Sequence, residues 1–356
     1  MKNAVKYLLI GLNVIAVFSL VASYISSYIP PDRWWFPVFL CFAYPFILVF
    51  NFIFIVFWLF VKPKYMVLSL AVILLGFGFL TRYVQFKGKT TDKEGVKILS
   101  FNVQHFQGNE KTNPVNSSAE VVDFLEEQNT DIICLQEVRL NRNNIFNLRR
   151  TVDKLKNINH YQYARSSTSY GLVTMTRYPI VFMDEIRFED TRNMAIYTDV
   201  IIKTDTVRIF NVHLQSYLID PKSYSVMDSL DLRNEKAITE LREITGKIKT
   251  ASEMRAEQVR KIREYIDKSP YKIVVCGDFN DTPYSYSYQK IKGRLKDAFV
   301  ESGRGVGHTY TGKIPSFRID YILHSKDFDS FNFKTIGFRV SDHLPISCTL
   351  TNKKDI

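Results

Sequence analysis

Three long stretches near the N-terminus carry no charged side chain, and they constrain this chain more than any other feature. They span 7–31, 34–61 and 65–81. A helix needs roughly 20 apolar residues to cross the hydrocarbon core of a bilayer, with a range of about 17 to 25. The runs therefore predict an all-α membrane region of about three helices, at 7–29, 36–61 and 65–81. Trp34, Trp35, Trp58, Tyr28 and Tyr65 lie near the run ends, where amphipathic rings favour the membrane interface. Pro37 and Pro45 read as kinks in the second helix. The first run is longer than the apolar segment of a signal peptide and offers no clear cleavage site, so it reads as retained. The third run is the shortest. Taken as a core helix, it would leave two spans and move everything after it to the other side.

Charge divides the chain at the same place. Residues 1–81 hold five basic side chains (Lys2, Lys6, Arg33, Lys62, Lys64) and one acidic one, Asp32. The other 275 residues carry 42 basic and 35 acidic groups, a net of +7. Lys2 and Lys6 precede the first span, and Lys62 with Lys64 separates the second from the third. The excess of basic residues on the cytoplasmic side then places the C-terminal part outside. The expected location is the cell (inner) membrane, multi-pass, with an extracytoplasmic domain. The membrane is the partner implied, and no protein partner is inferable. Cys41, Cys134, Cys276 and Cys348 each sit in an apolar stretch and read as buried thiols, not as a disulfide scaffold.

Residues 82–95 are polar and read as a linker, and 96–352 as a folded domain. Short strands alternate there with helices. Strands are expected at VKILSFNV, DIICLQ, Tyr161–Ser166, Leu172–Thr176, Ile180–Phe188, Met194–Ile202, Val207–Val212, KIVVCGDFN, FRIDYIL and LPISCTL. Ser117 and Glu120 read as a capping box opening one helix, and 228–268 as a second, long helix. Adjacent strands mid-chain favour a sheet-on-sheet core covered by helices.

Several strand ends finish in polar residues that a strand does not need: Asn102, Glu137, Asn211 with His213, Asp278 with Asn280, Asp320, and Asp342 with His343. Singly, each reads more often as a turn former or a satisfied buried group. Together they make a phosphoester site. Carboxylates and amides are hard oxygen ligands that suit Mg²⁺, with Mn²⁺ or Ca²⁺ as alternatives. Asp278 is placed to take a proton from water. His213 and His343 are placed to present N–H groups to phosphoryl oxygens, with Asp320 holding the far nitrogen of a histidine. There is no zinc-like Cys/His spacing, no G-x-S-x-G elbow and no Walker A sequence.

The segments LSFNVQ, LQEV, YGLVTMTRYPI, FNVHLQS, GDFND, RIDYIL and SDHLPI resemble, in order, those of the endonuclease/exonuclease/phosphatase superfamily. The resemblance spans 98–346. It implies an α+β fold, a four-layer α/β/β/α sandwich with the site at the sheet edge. It also implies roles. Asn102, Glu137 and Asp342 stand where metal-side ligands would be, and Asp278 where the water is activated. Asn280 stands as a phosphate-positioning amide, and His343 paired with Asp320 as the transition-state imidazole. His213 matches the N-x-H histidine of deoxyribonucleases and sphingomyelinases, a pattern that abasic-site endonucleases lack.

The substrate is less defined. The mild positive charge favours polyanions without choosing among them. Arg255 and Gln258 are placed to point at the site. Tyr284, Tyr286 and Tyr288 alternate, as on one side of an extended segment, and are candidates for stacking. His308 and Thr309 sit in a Gly-rich loop, and 214–227 is a weak candidate for an apolar lipid-facing loop. The leading reading is a membrane-anchored, divalent-metal-dependent phosphodiesterase of nuclease type. The alternatives are a lipid-headgroup phosphodiesterase or phosphatase, and a non-catalytic membrane binding module.

Overall fold

The computed structural model describes residues 3–108, 114–139, 146–166, 170–218, 235–312 and 317–353. Two N-terminal helices, α1 (Asn3–Ser26) and α2 (Val38–Val61), have 24 residues each and are long and apolar enough to cross a membrane. The third apolar run, expected as one span, is instead a short helix α3 (Met66–Leu75) that breaks at Gly76 before a last turn. A Cβ on Gly76 would lie 2.0 Å from the ring of Tyr24, so any larger residue at this close crossing of α1 would have to displace that ring. The run still travels the length of α1. Tyr65 meets Trp58 near the start of α1, and Phe79 stacks on Tyr24 near its end, ring centroids 4.7 Å apart.

The interior of this helical region joins an apolar cluster around Leu20, Cys41, Tyr44 and Val72 to a buried polar network. Asn13 donates to Ser69 at 2.6 Å, Ser69 to Asn51 at 3.0 Å, and Trp58 to Asn13 at 3.0 Å. Large apolar side chains such as Phe18, Phe50, Phe52, Leu74 and Leu75 point outward and are exposed.

Among the described residues fourteen strands follow: β1 (Val84–Gln85), β2 (Val96–Asn102), β3 (Ile132–Arg139), β4 (His160–Arg165), β5 (Tyr170–Thr176), β6 (Ile180–Arg187), β7 (Met194–Ile202), β8 (Asp205–His213), β9 (Lys272–Asp278), β10 (Lys296–Asp297), β11 (Gly305–Val306), β12 (Asp320–His324), β13 (Phe328–Thr335) and β14 (Ile346–Asn352). They form two six-stranded sheets, ordered β13-β14-β2-β3-β5-β4 and β10-β12-β9-β8-β7-β6, and a small β1-β11 ribbon. The alternation of side chains along each strand separates the cores. Ile98, Ile132, Cys134, Val274, Cys276 and Cys348 point between the sheets. Leu99, Phe101, Ile133 and Leu135 point the other way, onto Val121, Phe124 and Leu125 of helix Pro114–Gln128. Phe210, Val212, Ile273 and Val275 face Val259, Ile262 and Ile266 of the 33-residue helix Glu235–Asp267. The three cysteines fill the intersheet core as free, buried thiols.

Local differences from the sequence reading have local causes. The helix expected from Ser117 starts one turn earlier at Pro114, so Ser117 and Glu120 lie within it and do not cap it. Strand β13 was not expected, because its bulged edge sequence FDSFNFKT is mostly polar. Tyr286 and Tyr288 are not on an extended segment. Ser285 accepts from the Tyr288 N–H and caps helix Tyr286–Lys292. Residues 219–227 of the expected apolar loop and 228–234 of the expected long helix lie outside the described residues. The linker is pinned along its length: Val84 pairs with Val306, and Thr91 binds Asn332.

The helical region meets the sandwich. Ser27 donates to the Tyr284 carbonyl at 2.5 Å, and Arg82 to the Pro283 carbonyl at 3.1 Å. Tyr44 and Tyr284 rings lie 3.8 Å apart, and Asp32 pairs with Arg260 at 2.9 Å. Tyr284 and Tyr288 are both buried, which removes them as free stacking platforms.

Candidate active site

Two parallel strand pairs aim their C-terminal ends at one place. In the first sheet β2 lies parallel to β3, ending at Asn102 and near Glu137. In the second β8 lies parallel to β9, with His213 directly opposite Asp278. Antiparallel β12 begins there, with Asp320 opposite Asp278. Gly277 makes the second approach possible, since a Cβ would lie 1.9 Å from the Val212 carbonyl oxygen. Glu137 sits at the bulge in β3 with φ 55°, which turns its side chain toward the site. Gln104, His105, Phe106 and Asn280 also have positive φ, from 42° to 60°. Left-handed backbone at non-glycine residues costs energy and gathers at functional sites.

The side chains form one connected network. The Asn102 amide donates to Glu137 Oε1 at 3.2 Å and to Asp278 Oδ2 at 3.0 Å. Asn280 donates through its backbone N–H to Asp278 Oδ1 at 2.7 Å and through its amide to Asp278 Oδ2 at 3.1 Å. His343 Nδ1 lies 3.0 Å from Asp320 Oδ2, so Asp320 holds that N–H and leaves Nε2 facing Asp278 Oδ2 at 3.7 Å. Thr309 Oγ1 accepts from the backbone N–H groups of Ile319 and Asp320 and fixes the start of β12. Ser341 donates to the Asn102 carbonyl and accepts from the His343 N–H, tying the SDH turn to β2. Asp342 is the most peripheral member, 3.9 Å from His343 Nε2, with its backbone N–H on Gln104.

The structure therefore brings together Asn102, Glu137, His213, Asp278, Asn280, Asp320, Asp342 and His343. Asn211 is elsewhere. Its amide donates to the Leu135 and Val173 carbonyls and accepts from Gln136, bridging the two sheets. Arg255 and Gln258 act one step back. Arg255 binds Asp281 at 3.2 Å and the Gln215 carbonyl at 2.6 Å, and Gln258 accepts from the Gln215 N–H. They brace the two loops that follow His213 and Asp278.

Sequence reading missed His105. It sits 3.0 Å from Glu137 Oε2 through Nε2 and 3.1 Å from the Glu137 carbonyl oxygen through Nδ1, and it stacks on Tyr170 at 3.6 Å.

Electrostatics separates the carboxyls. Burial pushes Asp278 up to about 6, with Asp320 adding to the rise and His343 and His213 opposing it. Burial would also raise Glu137, but the approach and charge of His213, then of His105, hold it at about 2. Burial disfavours a charged His343, yet Asp320 and Asp278 hold it well above its usual range. Burial pushes Asp342 up. A divalent cation beside these carboxyls would draw them down.

The donor set fits such a cation. Asp278, Asp320 and His343 each offer a ligand atom, all within 4.8 Å of one another. Glu137 and Asn102 add oxygens next to them. His213 Nε2 is buried 3.3 Å from Glu137 Oε1 without the alignment of a hydrogen bond.

Residues 99–343 match the model of the Endonuclease/Exonuclease/phosphatase family, and the chain belongs to that family. Residues 6–83 match a domain of unknown function (DUF8431). No curated protein matches the chain. Among solved structures it is similar to an endonuclease/exonuclease/phosphatase from Beutenbergia cavernae, with 14% identity and TM-score 0.54 over 73% of this chain and 72% of that one. It is also similar to D. rerio TDP2 complexed with a single-strand DNA product, with 17% identity and TM-score 0.52 over 73% and 100%. A further likeness is to the mannosyl-6-phosphatase of Bacteroides thetaiotaomicron, with 16% identity and TM-score 0.50 over 72% and 99%. At these identities the likeness is one of fold. Members of the family are phosphoester hydrolases that use divalent metals, which is the class this fold and site define.

Proposed function

We propose that this chain is a membrane-anchored, divalent-metal-dependent phosphoester hydrolase, with phosphodiester cleavage of nuclease type as its leading reading. The observation that carries it is the convergence of Asp278, His343 and Asp320 at the shared end of both sheets. Asn102, Glu137 and Asp342 would hold the ion, Mg²⁺ or Mn²⁺. When bound, it supplies positive charge to a phosphoryl oxygen. Asp278, fixed by two donors from Asn280, accepts the proton of the attacking water. His343 presents Nε2–H to the developing oxyanion while Asp320 holds its other nitrogen. The Asn193 amide nitrogen donates to the Leu214 carbonyl and lies 3.3 Å from His213 Nδ1, which leaves the His213 proton on Nε2. His213 then offers that N–H to a phosphoryl oxygen or to the leaving group.

The anchor reading rests on the exposed apolar faces of α1 and α2 and on the return of the third run to the sandwich end of α1. With the N-terminus in the cytoplasm, the catalytic domain is extracytoplasmic. A reporter fused after Ile356 tests this, and strong activity of a cytoplasm-only reporter would contradict it.

A second substrate reading, a lipid headgroup ester, has one observation in its favour. Phe42 of α2 packs 5.6 Å from Tyr217 and 5.9 Å from Phe317. The Thr309 N–H donates to the Phe317 carbonyl, and the neighbouring Tyr310 ring meets His343 at 5.3 Å. One wall of the site is thus continuous with the helices. Full-length protein in detergent, offered supercoiled plasmid and phospholipid vesicles in parallel with Mg²⁺ or Mn²⁺, separates the readings. Nicking lost in His343→Ala supports the nuclease. Headgroup release alone supports the lipid enzyme.

A further inference from the structure

We infer that α2 belongs to the catalytic framework as well as to the anchor, and that Phe42 is a positioning residue which sets the loops carrying the site. The inference deepens the hydrolase reading above and rests on it.

Phe42 lies one turn inside the start of α2, at the end of the helix that meets the sandwich. Its ring touches two loops at once, Tyr217 at 5.6 Å and Phe317 at 5.9 Å between centroids. Tyr217 stands four residues after His213, and Phe317 three residues before Asp320. Neither residue is in a strand, so no sheet ladder fixes it and its place depends on what packs against it.

The first contact leads to Asp278. Tyr217 covers the Arg255 guanidinium at 4.1 Å, and its hydroxyl reaches Asp281 at 3.4 Å. Arg255 is fully buried and donates to Asp281 and to the Gln215 carbonyl. Asp281 follows Asn280, whose N–H and amide hold the Asp278 carboxylate.

The second contact leads to His343. The Phe317 carbonyl accepts from the N–H groups of Thr309 at 3.0 Å and Tyr310 at 3.1 Å. Thr309 in turn binds the Asp320 N–H through Oγ1, and its carbonyl accepts the Leu344 N–H at 2.7 Å. Tyr310 pairs with His343 in an isolated antiparallel bridge. One aromatic ring thus supports both halves of the site.

The helical region grips a third segment, Asp281 to Tyr284, by other groups. Tyr44 covers the Tyr284 ring, Ser27 binds the Tyr284 carbonyl and Arg82 the Pro283 carbonyl. A tether alone would not need contacts gathered on the loops of the site. Misplacing a reacting group by about 1 Å can cost about 10²-fold in rate, so a support under these loops acts on turnover.

The test uses full-length protein in detergent with Mn²⁺. The probes are supercoiled plasmid and phosphatidylcholine–phosphatidylglycerol vesicles, and turnover is expressed per bound Mn²⁺ so that unfolded chains drop out. Phe42→Ala lowers kcat about tenfold while KM stays within about twofold. Phe42→Leu, which refills the gap, recovers kcat to within about threefold of wild type. Phe50→Ala, on the exposed face of the same helix, leaves kcat unchanged. Amide hydrogen exchange in Phe42→Ala speeds up at 214–218 and 309–312 and stays slow in β2, β3, β8 and β9. Wild-type kcat per bound ion in Phe42→Ala, or unchanged exchange in both loops, overturns the inference and leaves the hydrolase reading standing. A folded wild type that binds Mn²⁺ and hydrolyses neither probe overturns both.

Discussion

In the N-terminal helices the side chains turned inward include Asn13, Asn51 and Ser69, and those turned outward are Phe50, Phe52 and Leu74. In the sandwich the order reverses. Ile, Val, Leu and Phe dominate the apolar cores, and buried charged groups are either at the site, as Asp278 and Asp320 are, or ion-paired, as Asp199, Asp297, Arg255 and Arg318 are. Both regions obey one rule, that buried polar atoms need partners. On the proposed membrane reading they differ in what lies outside. A helix bundle set in hydrocarbon gains nothing by hiding leucine, so small polar residues become its contacts. A domain in water gains by hiding every apolar side chain and tolerates a buried carboxylate only where chemistry uses it or an ion pair satisfies it.

The comparison can be broken at four places. The largest effect is expected at the site. Asp278→Ala or His343→Ala lowers phosphoester hydrolysis by about 10³-fold or more while the thermal transition stays near wild type. Near-normal turnover in either variant would remove the mechanism. Next is the ion pair between Arg318 and Asp297, both buried, at 2.8 Å. Asp297→Ala leaves a buried guanidinium uncompensated and costs about 3–5 kcal/mol in denaturant unfolding of the sandwich. Burial opposes charge on Asp297, but Arg318 and the Tyr288 hydroxyl hold its carboxyl below its usual range. A carboxyl with a lowered folded pKa stabilises above its unfolded pKa. Its contribution is therefore full at neutral pH and lost as acid titrates the folded state, and Asp297→Asn should flatten that acid limb.

Asn211→Leu should cost less, about 1–3 kcal/mol, because it strands the Leu135 and Val173 carbonyls between the sheets. The smallest effect is expected in the helices. Asn51→Leu removes the acceptor of Ser69 and should cost about 0.6 kcal/mol in detergent. An Asn51 effect as large as that of Asn211 would mean that the helices are buried in protein, and would undo the membrane reading.

The site was legible because it is built at strand ends. Asn102, Glu137, His213, Asp278, Asn280, Asp320 and His343 each close or open a short apolar run, and that punctuation survives in one dimension. His105 was not legible. It lies three residues past Asn102 with no glycine or asparagine to announce a left-handed turn, and its meaning comes from Glu137, 32 residues away. Tyr284 misled for a related reason. Its spacing suggested one side of an extended segment, whereas the Ser285 cap starts a helix and Tyr44 covers the ring. The break in the third apolar run falls at Gly76 where it meets Tyr24, a contact that composition alone does not carry.

The central claim is that the two sheets converge to hydrolyse a phosphoester with a divalent ion. The most direct test is turnover by full-length protein in detergent on plasmid DNA and phospholipid vesicles, with Mn²⁺ or chelator, in wild type and His343→Ala. The account predicts hydrolysis of one substrate that vanishes both with chelator and in the variant. Hydrolysis that persists undiminished in His343→Ala, or a folded, metal-loaded protein that cleaves neither ester, would contradict it.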